Sequence, residues 1–337
     1  MRFHLALSLV LLNLPIASGQ IQPQKIATSA DFRGLCAVDR NTAWVSGTKG
    51  TVGKTIDAGK TWNLISVPDS EILDFRDVKA FDAQTAYLMS AGIGDLSRIY
   101  KTTDGGVTWK LQWKASRKED FLDALGFWDD ENGIALGDPV GGKFQLLVTS
   151  DGGRHWQPID SKNLPEALSG EGAFAASGTC LITQGKNEAW FGTGSAKFAR
   201  VFHSSDRGKT WTVSETPITA AVESAGIFSL AFRNSKNGIV VGGDYRKPNG
   251  TGSTVALTDD GGKTWKLVKD AVTFRSAVGY GSNRIIVAGT SGADVSVDQG
   301  RTWKSLDLEN YNSVSFAKSG EGWLAGPKGR IAYLPAQ

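Results

Sequence analysis

Apolar and polar residues along this chain fall into short runs that recur in a fixed order. Between 121 and 159 the order is Phe121-Leu122-Asp123-Ala124-Leu125-Gly126-Phe127, a polar turn from Asp129 to Gly133, then Ile134-Ala135-Leu136-Gly137, then Phe144 to Thr149, then His155 to Ile159. Runs of this length bounded by Gly, Asn and Asp predict β-strands joined by tight turns. Four of them make one antiparallel unit, and the succession returns along the chain.

Each full unit carries one motif, Ser/Thr-x-Asp-x-Gly-x-Thr-Trp, with His replacing the last Thr once. Its six copies place Asp at Asp57, Asp104, Asp151, Asp206, Asp260 and Asp298, and Trp at Trp62, Trp109, Trp156, Trp211, Trp265 and Trp303, with Trp spacings of 47, 47, 55, 54 and 38. The residue types suit a hairpin turn. Asp accepts from turn N–H groups, Gly supplies the positive φ, Ser/Thr ends the entering strand, and Trp opens the departing strand with a large face to pack on a neighbour.

Four-stranded units repeating every ~40–50 residues are the blades of a β-propeller. After the sixth motif, Tyr311 to Phe316, Gly322 to Gly326 and Gly329 to Leu334 supply three more strands. The extended segment near Gln24 to Thr28 supplies the fourth and closes a seventh blade. The 318 residues after Gly19, spread over seven blades, give about 45 each. The expectation is an all-β, seven-bladed propeller forming a single domain over 20–337, its last blade closed by the N-terminal strand; a six-bladed ring with a tail is the alternative.

Residues 1–19 read as a secretory signal: Arg2 precedes the apolar run Leu5 to Leu14, and small residues Ala17-Ser18-Gly19 follow. No later run reaches the ~18 apolar residues of a membrane span. The protein is expected to be exported to a periplasmic or extracellular space, as a monomer. With 37 Lys+Arg against 34 Asp+Glu, bulk charge points to no nucleic acid. Of three histidines, His4 lies in the leader and His155 and His203 in or beside the repeats, which leaves little for a Ser-His-Asp triad or a His-based metal site. Cys36 and Cys180 form no Cys-x-x-Cys, so zinc-ribbon and thioredoxin-like chemistry is excluded and at most one disulfide can form. No cofactor or metal is called for.

The motif resembles the BNR or Asp-box repeat shared by sialidases, sortilin-type receptors and several glycosidases. The chain as a whole is similar to the photosystem II stability/assembly factor-like family of seven-bladed propellers, through Phe32-Arg33-Gly34-Leu35, Trp44-Val45-Ser46-Gly47, Lys101-Thr102-Thr103-Asp104-Gly105-Gly106 and Gly322-Trp323. The resemblance implies that the six motif Asp are structural, at turns on the outer, lower rim.

Candidate function therefore lies on the opposite, upper rim. Alignment on the second-strand Trp or its equivalent puts Phe32, Phe75, Phe121, Phe274 and Tyr311 in one register, followed by Arg33, Arg76, Leu122, Arg275 and Asn312. Arg33, Arg76 and Arg275 are then expected on adjoining blades at the channel mouth, with Arg98 and Arg200 on the same rim. Such guanidinium groups suit bidentate capture of a carboxylate or phosphate, or pair internally with acids such as Asp77, Asp123, Asp138 and Asp244. Glu171 and Glu223 ride on the longest loops leading into blades. The main expectation is a non-enzymatic binding or assembly scaffold that recognises a protein partner, an acidic peptide or an anionic ligand through Arg33, Arg76, Arg98, Arg200, Arg275, Asp138, Asp244 and Tyr311. The alternative is a glycoside hydrolase. Two carboxylates, Asp77 and Asp123, would act on neighbouring blades; a sialidase-like site would draw on Arg33, Arg76, Arg275 and Tyr311, although that family's Arg-Ile-Pro signature is absent.

Overall fold

The computed structural model describes residues 21–336; the leader assigned to 1–19 lies outside the described residues. These residues form seven four-stranded antiparallel sheets arranged as the blades of a propeller, with no α-helix among them. The innermost strands of blades 1 to 7 are Phe32–Ala37, Phe75–Ala80, Leu122–Phe127, Leu181–Gln184, Ala225–Phe232, Ala277–Tyr280 and Ser313–Phe316. Each of the first six blades is a simple meander.

Blade 7 is closed by the strand Gln22–Gln24, which pairs with Ile331–Leu334 in the register Gln22↔Tyr333, Pro23↔Ala332, Gln24↔Ile331. The closing strand is thus earlier than the expected Gln24 to Thr28 and shares only Gln24 with it. Pro23 reads as a strand breaker, yet on an outermost edge its missing N–H is tolerated. Residues 25–30 instead lead on to blade 1, and on the way the Ala30 carbonyl accepts from Gly329 N–H in a turn of blade 7.

Neighbouring blades are held by large side chains of their second strands. Trp44, Tyr87, Trp190 and Trp323 are fully buried there. Their polar ends reach the next blade: Trp44 Nε1 donates to the Asp82 carbonyl, Tyr87 Oη to that of Gly152, and Trp190 Nε1 to that of Gly261. A buried indole or phenol thereby satisfies its one polar atom while its ring fills the space between sheets.

The six motif turns share one geometry. At Asp57, Oδ1 accepts from Thr55 Oγ1 at 2.9 Å and from Thr61 N at 2.9 Å, and Oδ2 accepts from Thr61 Oγ1 at 2.6 Å. Gly59, at φ 77°, donates its N–H to Thr55 Oγ1. In the third copy His155 Nδ1 takes the place of the Thr hydroxyl, 2.6 Å from Asp151 Oδ2.

On the opposite face, four inner strands lose register by one residue near their starts, at Phe32/Gly34, Phe75/Asp77, Leu122/Ala124 and Ile227/Ser229. The extra residues are Arg33, Arg76, Asp123 and Phe228. A bulge re-aims the side chain it carries.

Candidate functional site

A cavity of about 450 Å³ occupies the upper mouth of the channel. The bulge residues Arg33, Arg76, Asp123 and Phe228 line it, joined from blades 6 and 7 by Ser276 and Asn312. Its floor is the loop leading into blade 4, which turns into the channel. Arg76 Nη1 donates to the Ala175 carbonyl, Lys79 Nζ to that of Gly178, and Ser177 Oγ to that of Ser276. Blades 2 and 6 thus hold the same short segment from opposite sides. Its base is anchored by a buried ion pair: the Arg200 guanidinium meets both oxygens of Glu171, which also accepts from Thr193 Oγ1 and Leu168 N.

One side of the cavity is aromatic. Phe174 from the floor segment stacks on Phe228 at 3.9 Å between centroids, Phe274 meets Phe228 edge-on at 4.9 Å, and the half-exposed Tyr245 stands beside them.

The other side is charged. Arg76 Nε pairs with Asp74 Oδ2 at 2.7 Å. Arg33 Nε is buried without a hydrogen-bond partner. Burial, then the charge of Arg76, lowers the Arg33 pKa, with Asp74 and Asp31 opposing. Asp123 is 0% exposed and both of its carboxyl oxygens lack partners. Burial, then nearby Asp138, raises Asp123 well above the ordinary carboxylate range, against the pull of Arg76. Asp138 also lines the cavity; its Oδ1 accepts from Ala173 N, and burial raises its pKa as well. With Glu223, three acids and two arginines therefore line one small space.

Several residues expected at this mouth lie elsewhere. The first inner residue of a blade donates its N–H to a carbonyl at the end of the previous blade's second strand: Phe32 to Gly326, Ile227 to Thr193, Arg275 to Gly242, Tyr311 to Gly289. Arg275 is thus the counterpart of Phe32, not of Arg33. It is 4% exposed and paired with Asp294. The cause is the turn between the first two strands of blade 6, closed by Gly281 N–H to the Arg284 carbonyl, one residue shorter than Val38 to Thr42 in blade 1. In blade 3, Leu122 rather than Phe121 matches Phe32, since Ile134 stands where other blades have an aromatic marker.

Arg200 is consumed by Glu171, and Tyr311 is buried with its hydroxyl on Asp307. Arg98 binds the Asp95 carbonyl and Tyr100 Oη over blade 2, outside the cavity. Asp244 accepts from Arg246 N in its own loop and from Ser224 Oγ just before the inner strand of the same blade. Three of the five arginines, Arg76, Arg200 and Arg275, do pair with acids, but with Asp74, Glu171 and Asp294 in place of the acids expected. Asp77 sits beneath the floor, bound by Lys79 Nζ at 3.1 Å and Leu125 N at 2.8 Å. A Cβ on Gly178 would lie 2.3 Å from the Asp77 carboxyl carbon. Asp77 and Asp123 therefore do not share the open cavity, and the acid facing Asp123 there is Asp138.

The aromatic wall and the channel-crossing segment were not legible as site features. The length of the loop leading into blade 4 was the available signal, but length does not tell inward from outward. Cys36 and Cys180 are free thiols. Among the described residues, no three or more His, Cys, Asp or Glu gather as metal ligands, and no helix is long and apolar enough to cross a membrane.

No family model matches the chain, and no curated protein matches it in sequence. Solved structures do match in fold. A structure described as YCF48 bound to D1 peptide superposes with a TM-score of 0.66 at 17% identity, over 94% of this chain and 97% of that one. YCF48 from Cyanidioschyzon merolae gives 0.67 at 16%, over 94% and 98%. The GH74 enzyme of Niastella koreensis gives 0.64 at 15%, over 93% of this chain and 53% of that enzyme. At these identities the likeness is one of fold, shared by a peptide-binding protein and an enzyme.

Proposed function

We propose that this protein is an exported, non-enzymatic binding scaffold that captures a segment of a protein partner, through an acidic side chain, at the upper mouth of the channel. The observation that carries the reading is the cavity itself. A half-buried arginine, Arg33, whose buried Nε has no partner in the protein, stands beside a second arginine, facing a wall of aromatic rings, above a floor closed by 175–178. A guanidinium held this way offers a carboxylate a charge-assisted hydrogen bond that no protein group takes up at Nε. Aromatic rings add apolar area at small entropic cost. The D1 peptide bound by the YCF48 neighbour is consistent with such a use of the fold.

The glycosidase reading has one observation in its favour, a buried acid, Asp123, beside a second carboxyl, Asp138. Both, however, are shifted in the same direction by burial, whereas the chemistry needs one carboxyl held ionised and the other protonated.

The test uses two blocked tripeptides, N-acetylated and C-amidated: Phe-Glu-Phe and its neutral counterpart Phe-Gln-Phe. Binding to the whole protein is followed by calorimetry or chemical-shift perturbation. Phe-Glu-Phe should bind at least ~10-fold more tightly, lose affinity with salt, and lose most of its advantage in Arg33→Ala. Equal binding of the two tripeptides overturns the reading. Hydrolysis of β-glucans or sialosides by the parent protein, abolished in Asp123→Asn, would favour the glycosidase.

A further inference from the structure

Asp123 is the residue of the mouth whose chemistry is least used by the fold. It occupies a bulge of the blade 3 inner strand, equivalent to Arg33 and Arg76 in blades 1 and 2. It forms part of the cavity wall, yet is 0% exposed, and neither carboxyl oxygen has a partner. A fully buried polar group left unsatisfied is rare and points to a use.

The groups that face it come from several elements. Asp138, on the second strand of the same blade, repels the ionised form, and Arg76 in blade 2 favours it. The charges of both Asp123 and Asp77 act on the buried Cys180 thiol, and Asp77 is committed to Lys79. Arg33 and Glu223 complete the charged lining across the cavity. Asp138 is itself committed through Oδ1 to Ala173 N.

Building on the anion reading above, we propose that capture at this mouth is proton-linked through Asp123. As the neutral acid, Asp123 leaves Arg33 and Arg76 to a ligand carboxylate and offers an O–H in place of a repelling charge. As the anion, it competes for the same arginines and repels the ligand. The ligand class is then a carboxylate bound together with one proton, and the site releases it as the surroundings become alkaline. Burial supports the neutral form in the free protein: a fully buried carboxylate with no donor to it and a second acid nearby takes up a proton before it accepts the desolvation cost.

The experiment measures the dissociation constant of Phe-Glu-Phe for the full protein from about pH 5.5 to about pH 8.5, a range in which an ordinary glutamate of the probe stays ionised. Affinity should fall at least ~10-fold across that range, since a single linked proton changes log K by up to about one per pH unit. In Asp123→Asn, which keeps a donor and cannot ionise, the profile should flatten at the tight, low-pH value. In Asp138→Asn the dependence should persist, moved to lower pH by removal of the charge that resists ionisation of Asp123. Melting curves of each variant establish that it is folded.

A flat profile in the parent, or an unchanged slope in Asp123→Asn, overturns the proton linkage and leaves the anion reading standing. No preference for Phe-Glu-Phe over Phe-Gln-Phe at any pH overturns both. Tighter binding of Phe-Lys-Phe with rising pH would make the acids a cation site and overturn the proposal too.

Discussion

Asp104 and Asp298 on the lower rim and Asp77, Asp123 and Asp138 in the channel respond to protons in opposite directions. Side-chain bonds from Thr108 and Thr302, then the backbone N–H groups of the same residues, hold Asp104 and Asp298 down to about 2. A carboxyl whose pKa is lower in the folded state stabilises the fold above the unfolded value of ~4, and loses that contribution as pH falls through its folded pKa. The turns should therefore weaken between about pH 4 and about pH 2. Burial raises Asp77, Asp123 and Asp138. Their contribution is full below the unfolded value and is lost as pH rises through the folded one. Two outcomes follow. Asp298→Ala removes an acceptor used by Ser296 Oγ, Thr302 N and Thr302 Oγ1. Thr302 is exposed and stays within reach of water, but the buried Ser296 hydroxyl loses its acceptor, so the cost by urea denaturation at neutral pH should be about 1–2 kcal/mol. Asp123→Asn should be more stable than the parent at about pH 8.5, with the gain shrinking toward about pH 5.5. A gain that does not change with pH would mean that Asp123 is ionised throughout the range.

At the scale of elements, what could be read from sequence was the identity of strands and turns, and what could not was their registration to one residue. Phe32-Arg33, Phe75-Arg76 and Phe274-Arg275 present the same dipeptide at three inner strands. In the first two the Arg is the bulge residue at the mouth, while in the third a shorter turn slides the Arg into the inward position of Phe32, where Asp294 neutralises it. A one-residue slip exchanges the faces of a strand, so composition alone cannot decide between a binding arginine and a structural one. The segment that floors the cavity was hidden for another reason: its bonds run to Arg76, Lys79 and Ser276, about a hundred positions away in sequence. Gly178 is the tight point of that segment, at φ 68° with the Asp77 carboxyl against its α-carbon. Gly141 has φ 62°, and a Cβ added there would meet nothing within 4 Å. Gly141→Ala should therefore cost only the backbone term of about 1 kcal/mol, whereas Gly178→Ala should cost about 2 kcal/mol more and speed amide exchange across 175–180. Equal losses by urea denaturation would show that the segment yields freely and does not form a rigid floor.

For the whole molecule, stability depends on closing a ring whose first and last strands belong to one blade. The repeat count and the spare strand made that closure legible; at the join one side chain, Gln24, bridges the first motif turn and the last blade. Its Nε2 donates to the Ala58 carbonyl in the first motif turn, and its Oε1 accepts from Trp62 Nε1 at 3.0 Å and Trp323 Nε1 at 3.2 Å. At the outer edge, blade 1 and blade 7 therefore share this amide, while further in Asn312 Nδ2 donates to the Phe32 carbonyl and Phe32 N–H to that of Gly326. Trp323 is fully buried, so Gln24→Ala orphans its indole N–H inside the seam, and the Ala58 carbonyl loses a donor. An unsatisfied buried donor costs about 1–3 kcal/mol, and the half-buried Trp62 adds less. The expected loss in equilibrium unfolding is about 2–3 kcal/mol. Gln22→Ala, on the same strand but exposed, should lose under ~0.5 kcal/mol. Because the seam is the one place where closure joins distant parts of the chain, the Gln24 variant should also raise the unfolding rate more than the refolding rate, if closure is a late step. A Gln24→Ala protein that unfolds like Gln22→Ala would place the strength of the ring in the strand pairing Gln22↔Tyr333 to Gln24↔Ile331 and not in the amide at the seam.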